Sequence, residues 1–194
     1  MIILGITGPT GAGKTTVSKL FREKGIKVVD GDILARKIVE PDKPALKELK
    51  DAFGEDIKNT DGTLNRKKTA ELVFSDPEKL AILNRITHRY ITEEFFKIAS
   101  AYDGDIIGFD GAAILDSDVK DICDKILSVV ADEEIRLKRI ILRDNLTQDE
   151  ARLRISGQKN NQFYIENSDF LVSNNGEDIE EDVNSIIEKL RSMI

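Results

Sequence analysis

The sequence predicts an α/β fold, a doubly wound sheet of five parallel strands. Three observations carry that expectation. Five short apolar runs recur along the 194 residues; stretches with helical periodicity separate them; and the runs are nearly continuous in apolar residues, as strands that bury both faces tend to be. No internal repeat, low-complexity segment or Pro/Gly/Ser linker divides the chain, so a single domain is expected.

The first strand is IILGIT, from Ile2 to Thr7. A glycine-rich turn leads into a helix whose Val17, Leu20 and Phe21 share one face before Gly25 stops it. IKVVD, ending at Asp30, is the second strand, and ILARKI from Ile33 reads as the next helix. Residues 41–102 are too long and too charged for an ordinary crossover, and are expected to form a helical insertion over the carboxyl edge of the sheet. Its longest helix opens with Ser75 or Asp76 as cap and Pro77 in the first turn, then carries Leu80, Leu83 and later apolar residues at helical spacing. DIIGFD to Asp110, KILSVVA to Ala131 and FLVSN to Asn174 complete the strands. The core is thus expected at roughly 1–40, 103–132 and 168–194, with a small helical lid at 133–167.

Composition narrows the classes. A net charge of −7 argues against a general nucleic-acid surface, which shows itself as a basic excess. One cysteine, Cys123, cannot form an intramolecular disulfide, and no apolar run of about 20 residues could span a bilayer. A cytoplasmic protein is expected, monomeric or weakly self-associating, whose partner is a small molecule and neither nucleic acid nor membrane.

GITGPTGAGKTT fits G-x-x-x-x-G-K-[ST], a phosphate-binding loop, and lies where that loop must lie, between a strand and a helix. Its glycines let successive N–H groups turn onto one concavity, to which the helix N-terminus adds its positive dipole end. Gly8, Thr10, Gly11, Ala12, Gly13, Lys14, Thr15 and Thr16 are the residues expected against a nucleoside triphosphate. Lys14 would reach the β and γ phosphates, the Thr15 hydroxyl would take one position on Mg²⁺, and Thr16 would face a phosphate or cap the helix.

Such a loop serves switches that hydrolyse nucleotide and kinases that pass the phosphoryl group to a small molecule. No N-K-x-D guanine-reading segment occurs, and two features favour a kinase. Asp30 and Asp32 stand at the end of the second strand, where a carboxylate can orient an acceptor hydroxyl; the alternative is that they cap the following helix. Arg136, Arg139 and Arg143 share a face of a late helix beside an apolar face of Leu137, Ile140 and Ile141, and the capping box TQDE from Thr147 starts a second helix at once. A helical flap bearing arginines can close on ATP and exclude water; the alternative is a solvated charged face, weighed also for Arg152 and Arg154. The lone histidine, His88, lies beside Arg85 and Arg89 on the long helix, where packing and binding are both open to it.

Taken together the segments resemble the dephospho-CoA kinase family over nearly the whole chain. The glycine loop, VVDGDILAR, LNRKKTAELVFSDPEKLAILNRITHRYI, CDKILSVVA, RIILRD, ARLRISGQ and SDFLVSNNG follow in that family's order at about its spacing. The resemblance implies a P-loop kinase fold and transfer of the ATP γ-phosphoryl group to the ribose 3′-hydroxyl of dephospho-CoA, with Asp32 as base and Arg139 and Arg143 as lid arginines. It places His88, Arg66 and Arg85 on the acceptor side, and Gln158 and Asn174 near the lid and the nucleotide base. The chain departs from the pattern in three places. Gly111 to Asp116 reads GAAILD where the family writes a P-L-L-F-E-like segment, Arg89 replaces a common proline, and Tyr164 replaces a lysine. Readings kept beside this one are a kinase of another nucleotide or metabolite and a non-catalytic ATP-binding protein.

Overall fold

A computed structural model describes residues 1–74 and 76–194. The expected five strands are present: β1 (Ile2–Thr7), β2 (Lys27–Asp30), β3 (Ile106–Asp110), β4 (Lys125–Val130) and β5 (Phe170–Ser173). They form one parallel sheet in the order β2-β3-β1-β4-β5, with helices on both faces. β1 lies centrally, in register with β3 through Ile6 opposite Asp110 and with β4 through Thr7 opposite Ser128. The chain divides into two compact units, residues 1–29 with 103–194 and residues 30–102.

In the first unit, α1 (Lys14–Glu23) follows β1, and α6 (Glu133–Asp144), α7 (Gln148–Ser156), α8 (Asn161–Glu166) and α9 (Glu180–Arg191) follow β4. Leu4, Ile6, Val17, Phe21, Leu127, Val129, Val172, Val183 and Leu190 are fully buried in one core, against which Leu20 packs from its partly exposed position. The first helix stops as expected. Gly25 sits at φ +83, its N–H bonds the Arg22 carbonyl, and the Ile26 N–H returns to the Phe21 carbonyl at 3.0 Å, while both apolar side chains join the core. A smaller core of Leu137, Ile140, Ala151 and Ile155 joins α6 to α7, whose first turn carries the predicted capping box of Thr147 and Glu150. α8 is a helix the apolar periodicity did not predict, short and capped by the Asn160 side chain.

The second unit holds α2 (Gly31–Lys37), α3 (Pro44–Phe53), α4 (Arg66–Phe74) and α5 (Pro77–Ser100), with α2, α3 and α4 packed on α5. Asp76 caps α5, accepting from the Glu78 and Lys79 N–H groups at 3.1 Å each; Ser75, the alternative cap, lies outside the described residues. The buried stripe of α5 is Ile86, Ile91, Phe95 and Ala99. Leu80, expected on the apolar face, is exposed, because helical spacing says which residues share a face and not which turns have a neighbour. Arg89, where the family commonly has proline, ties α5 to α3: it pairs with Glu48 and lies 4.6 Å from the Tyr90 ring centroid, while the Tyr90 hydroxyl donates to the same Glu48 at 3.1 Å.

Among the described residues no helix is long and apolar enough to cross a membrane. Burial pushes the Cys123 thiol up to about 12. At pH 8 its thiolate fraction is then on the order of 10⁻⁴, against roughly a quarter for an unperturbed thiol. Iodoacetamide at that pH is therefore expected to label the native protein very slowly and the urea-unfolded protein readily; rapid native labelling, followed by mass spectrometry, would show that the site opens.

Candidate active site

The glycine loop joins the carboxyl end of central β1 to α1. Gly8, Gly11 and Gly13 all have positive φ. At Gly8 (φ +145) a Cβ would lie 2.1 Å from the Val129 carbonyl oxygen, so the strand beside the loop excludes any side chain. Gly8→Ala should cost about 1–3 kcal/mol in backbone strain alone and abolish tight ATP binding. Urea unfolding with nucleotide titration checks it, and an unchanged midpoint with native affinity would show that the loop can shift aside.

Gly13 is the N-cap of α1 and no side chain caps the helix. Thr16 is thus not a cap: it sits inside the first turn, where its N–H bonds the Gly13 carbonyl at 3.0 Å, and a capping side chain must precede that turn. Lys14 and Thr15 open the helix, and among the described residues nothing bonds to their N–H groups or side chains. These are the orphan donors of a helix N-terminus, with an ammonium and an exposed hydroxyl beside them.

The outward side of the loop is held by cations. Arg136 Nε donates to the Thr10 carbonyl at 2.9 Å, and Arg139 Nη1 donates to the Gly11 and Ala12 carbonyls, each at 3.3 Å. Arg143 Nη2 reaches the Thr10 hydroxyl at 3.3 Å. Asn174 Nδ2 donates to the Ala12 carbonyl at 3.1 Å and its Oδ1 accepts from Arg139 Nη2 at 3.2 Å, while Gln158 Oε1 accepts the Thr10 N–H at 2.9 Å. In a planar trans peptide the next N–H points opposite to the carbonyl. With the Thr10 and Ala12 carbonyls turned toward α6 and Asn174, the N–H groups of Gly11 and Gly13 face the other way, while that of Ala12 closes a turn onto the Pro9 carbonyl at 3.2 Å. Arg143 also makes a bidentate pair with Asp144 at 2.8 Å for both bonds; each partner holds the other charged, raising the guanidinium and lowering the carboxyl, and Arg154 shares that carboxylate.

Arg136 departs from the solvated-face alternative. It is 3% exposed, and burial pulls its guanidinium down. The reason is geometric: the turn of α6 nearest the loop faces carbonyl oxygens, not water. Sequence reasoning also missed a pair at the sheet's carboxyl edge, where the buried Ser18 hydroxyl of α1 donates to Asp110 of β3 at 2.7 Å. Residues 92 apart carry no local signal of that contact. The GAAILD segment buries Ile114 in a short 3₁₀ turn, and the Gly111 N–H bonds the Ile6 carbonyl of β1 at 3.0 Å. Tyr164 is buried, and its hydroxyl is pushed up by that burial and by the Asp116 charge, opposed by Arg136. Two of the three departures thus lie close enough to act on one another electrostatically.

In the second unit, Asp30 caps α2, accepting the N–H groups of Asp32 and Ile33 at 2.9 and 3.0 Å. Asp32 lies in the first turn of α2, past the strand's end, with its carboxylate exposed and not needed as a cap. Arg66 opens α4, exposed; Arg85 and the half-buried His88, three residues apart, share a face of α5. The structure therefore brings Gly8 to Thr16 together with Arg139, Arg143 and Asn174, and carries Asp32, Arg66, Arg85 and His88 on three helices of the other unit.

Comparison with known proteins gives one family. A family model described as dephospho-CoA kinase matches residues 2–180. The dephospho-CoA kinase of Corynebacterium efficiens is 38% identical over 91% of this chain and 90% of its own, and that of Listeria monocytogenes 38% over 89% and 88%. A solved Thermus thermophilus protein superposes with TM-score 0.82 at 28% identity, covering 100% of this chain and 97% of its own. A Campylobacter jejuni dephospho-CoA kinase (TM-score 0.60, 23% identity) and a shikimate kinase from Acinetobacter baumannii (0.57, 16%) share the fold. With a model spanning most of the chain and relatives well above 30% identity, the chain belongs to the dephospho-CoA kinase family.

Proposed function

We propose that the protein transfers the γ-phosphoryl group of ATP to the 3′-hydroxyl of dephospho-CoA, giving coenzyme A and ADP. The observation that carries the donor half is the phosphate loop whose carbonyls are tied outward by Arg136, Arg139 and Asn174. N–H groups so oriented need no reorganisation when the triphosphate arrives, which is where electrostatic catalysis of phosphoryl transfer gains most. The acceptor half rests on membership of the family.

Lys14 binds the β and γ oxygens and follows the charge as it moves to the leaving diphosphate. Arg139 and Arg143, already against the loop, shield the same oxygens from water as residues 133–167 act as a lid. Thr15 presents an exposed hydroxyl oxygen beside the phosphate seat, a donor type that suits Mg²⁺, and among the described residues no carboxylate, histidine or cysteine cluster competes for the ion. Mg²⁺ held there would supply positive charge that offsets the charge of the triphosphate. Asp32, in the first turn of α2, orients the 3′-hydroxyl and takes its proton as the oxygen attacks phosphorus, while residues 41–102 serve the acceptor through Arg66, Arg85 and His88, which hold the substrate's phosphates.

The test is ADP release from Mg-ATP with and without dephospho-CoA, with the product's mass measured. ADP formed only with dephospho-CoA, alongside coenzyme A, supports the proposal. ATP binding without stimulation by dephospho-CoA would remove the acceptor and leave the donor site.

A further inference from the structure

We infer that Arg136 is a positioning residue of the phosphate loop, setting the loop for ATP from beneath without touching the nucleotide. Burying a guanidinium costs several kcal/mol unless hydrogen bonds compensate, and an apolar side chain of similar volume commonly packs as well or better. Arg136 has two bonds: Nε to the Thr10 carbonyl at 2.9 Å, and Nη1 to Asn161 Oδ1 at 3.4 Å. Its Nη2 is buried with no protein partner among the described residues. A side chain kept at such cost is explained by what it does to its best-bonded neighbour, the loop carbonyl.

Its main chain makes a second contact with the same loop. A Cβ at Gly11 would lie 2.8 Å from the Arg136 carbonyl oxygen, so Gly11 rests directly on this turn of α6. Asn161 completes the strut, its Nδ2 donating to the Ala131 carbonyl at the end of β4 at 2.9 Å. Arg136 therefore links the crown of the loop to the sheet edge, and aims the Gly11 N–H away from α6 by fixing the peptide before it. Arg139 and Arg143, one and two turns on, contact the same loop, the first half-buried and the second exposed.

This inference rests on the loop binding ATP, so the first measurement is ATP affinity of the wild-type protein by titration with a fluorescent ATP analogue and competition. No binding there would defeat that reading before any variant is compared. Arg136→Met, of similar volume and apolar, is expected to fold with an equal or higher Tm, yet to weaken ATP about tenfold or more through the lost charge-assisted bond. KM for dephospho-CoA should stay within about twofold, a split that loss of fold would not produce. Arg136→Lys, with one ammonium in place of a planar fork, should recover part of the affinity. A folded Arg136→Met protein with wild-type ATP affinity would overturn the inference. Should Arg136→Met fail to fold, Arg136→Lys decides alone: weaker ATP binding in a folded protein supports it, and unchanged affinity overturns it.

Discussion

Lys14→Ala is expected to lower kcat/KM for ATP by about 10²–10³-fold while leaving Tm unchanged. The two parts have separate causes. The loss in rate follows from removing the one mobile cation at the head of α1 that can reach the β and γ oxygens together. The intact fold follows from its surroundings, since among the described residues the Lys14 side chain makes no hydrogen bond or ion pair. Steady-state kinetics and a thermal melt check both. Activity within about tenfold of wild type would mean that the arginines of α6 carry the phosphate charge without it. A large fall in Tm would mean instead that Lys14 supports the loop.

Asp32→Asn is expected to lower kcat by about 10²–10⁴-fold with ATP affinity nearly unchanged. The amide keeps the shape of the carboxylate and removes its capacity to take the acceptor proton. Stability should hardly move, because Asp30 and not Asp32 satisfies the N–H groups that open α2. An aspartate in the first turn adds only about 0.3–1 kcal/mol through the helix dipole. An unchanged kcat would remove Asp32 as the base, whereas a lower Tm with a proportional loss of activity would assign it to the helix. Asp30→Ala gives the contrast: a cap lost at about 1 kcal/mol, read in Tm first.

The contrast between those neighbours shows where sequence reading stopped. Asp30 and Asp32 are the same residue type two positions apart, and either could cap or act as base. The difference is one of register, since only Asp30 keeps extended backbone (φ −85, ψ 114) from which a side chain can fold back onto the next N–H groups. Arg136, Arg139 and Arg143 pose the same difficulty on a helix. Their spacing puts them on one face, but a face of arginines reads alike whether it meets water or carbonyls. Ser18 with Asp110, and Tyr164 within reach of the Asp116 charge, depend on elements distant in the chain meeting, and no periodicity encodes such a meeting. Leu80 erred the other way, apolar and helical yet exposed.

The five strands, the stop at Gly25, the capping box at Thr147 and the phosphate loop were legible because each depends on neighbours within a few residues. A strand buried on both faces is mostly apolar, and a loop that turns its N–H groups inward needs glycine where φ is positive. These are short-range requirements, written where they act. Which carboxylate caps, which arginine is buried and which way the loop carbonyls point depend on what each group faces across the fold. The free energy of a polar group is set by its desolvation and its partner, and both exist only once β1, β4, α6 and the turn after β5 have come together.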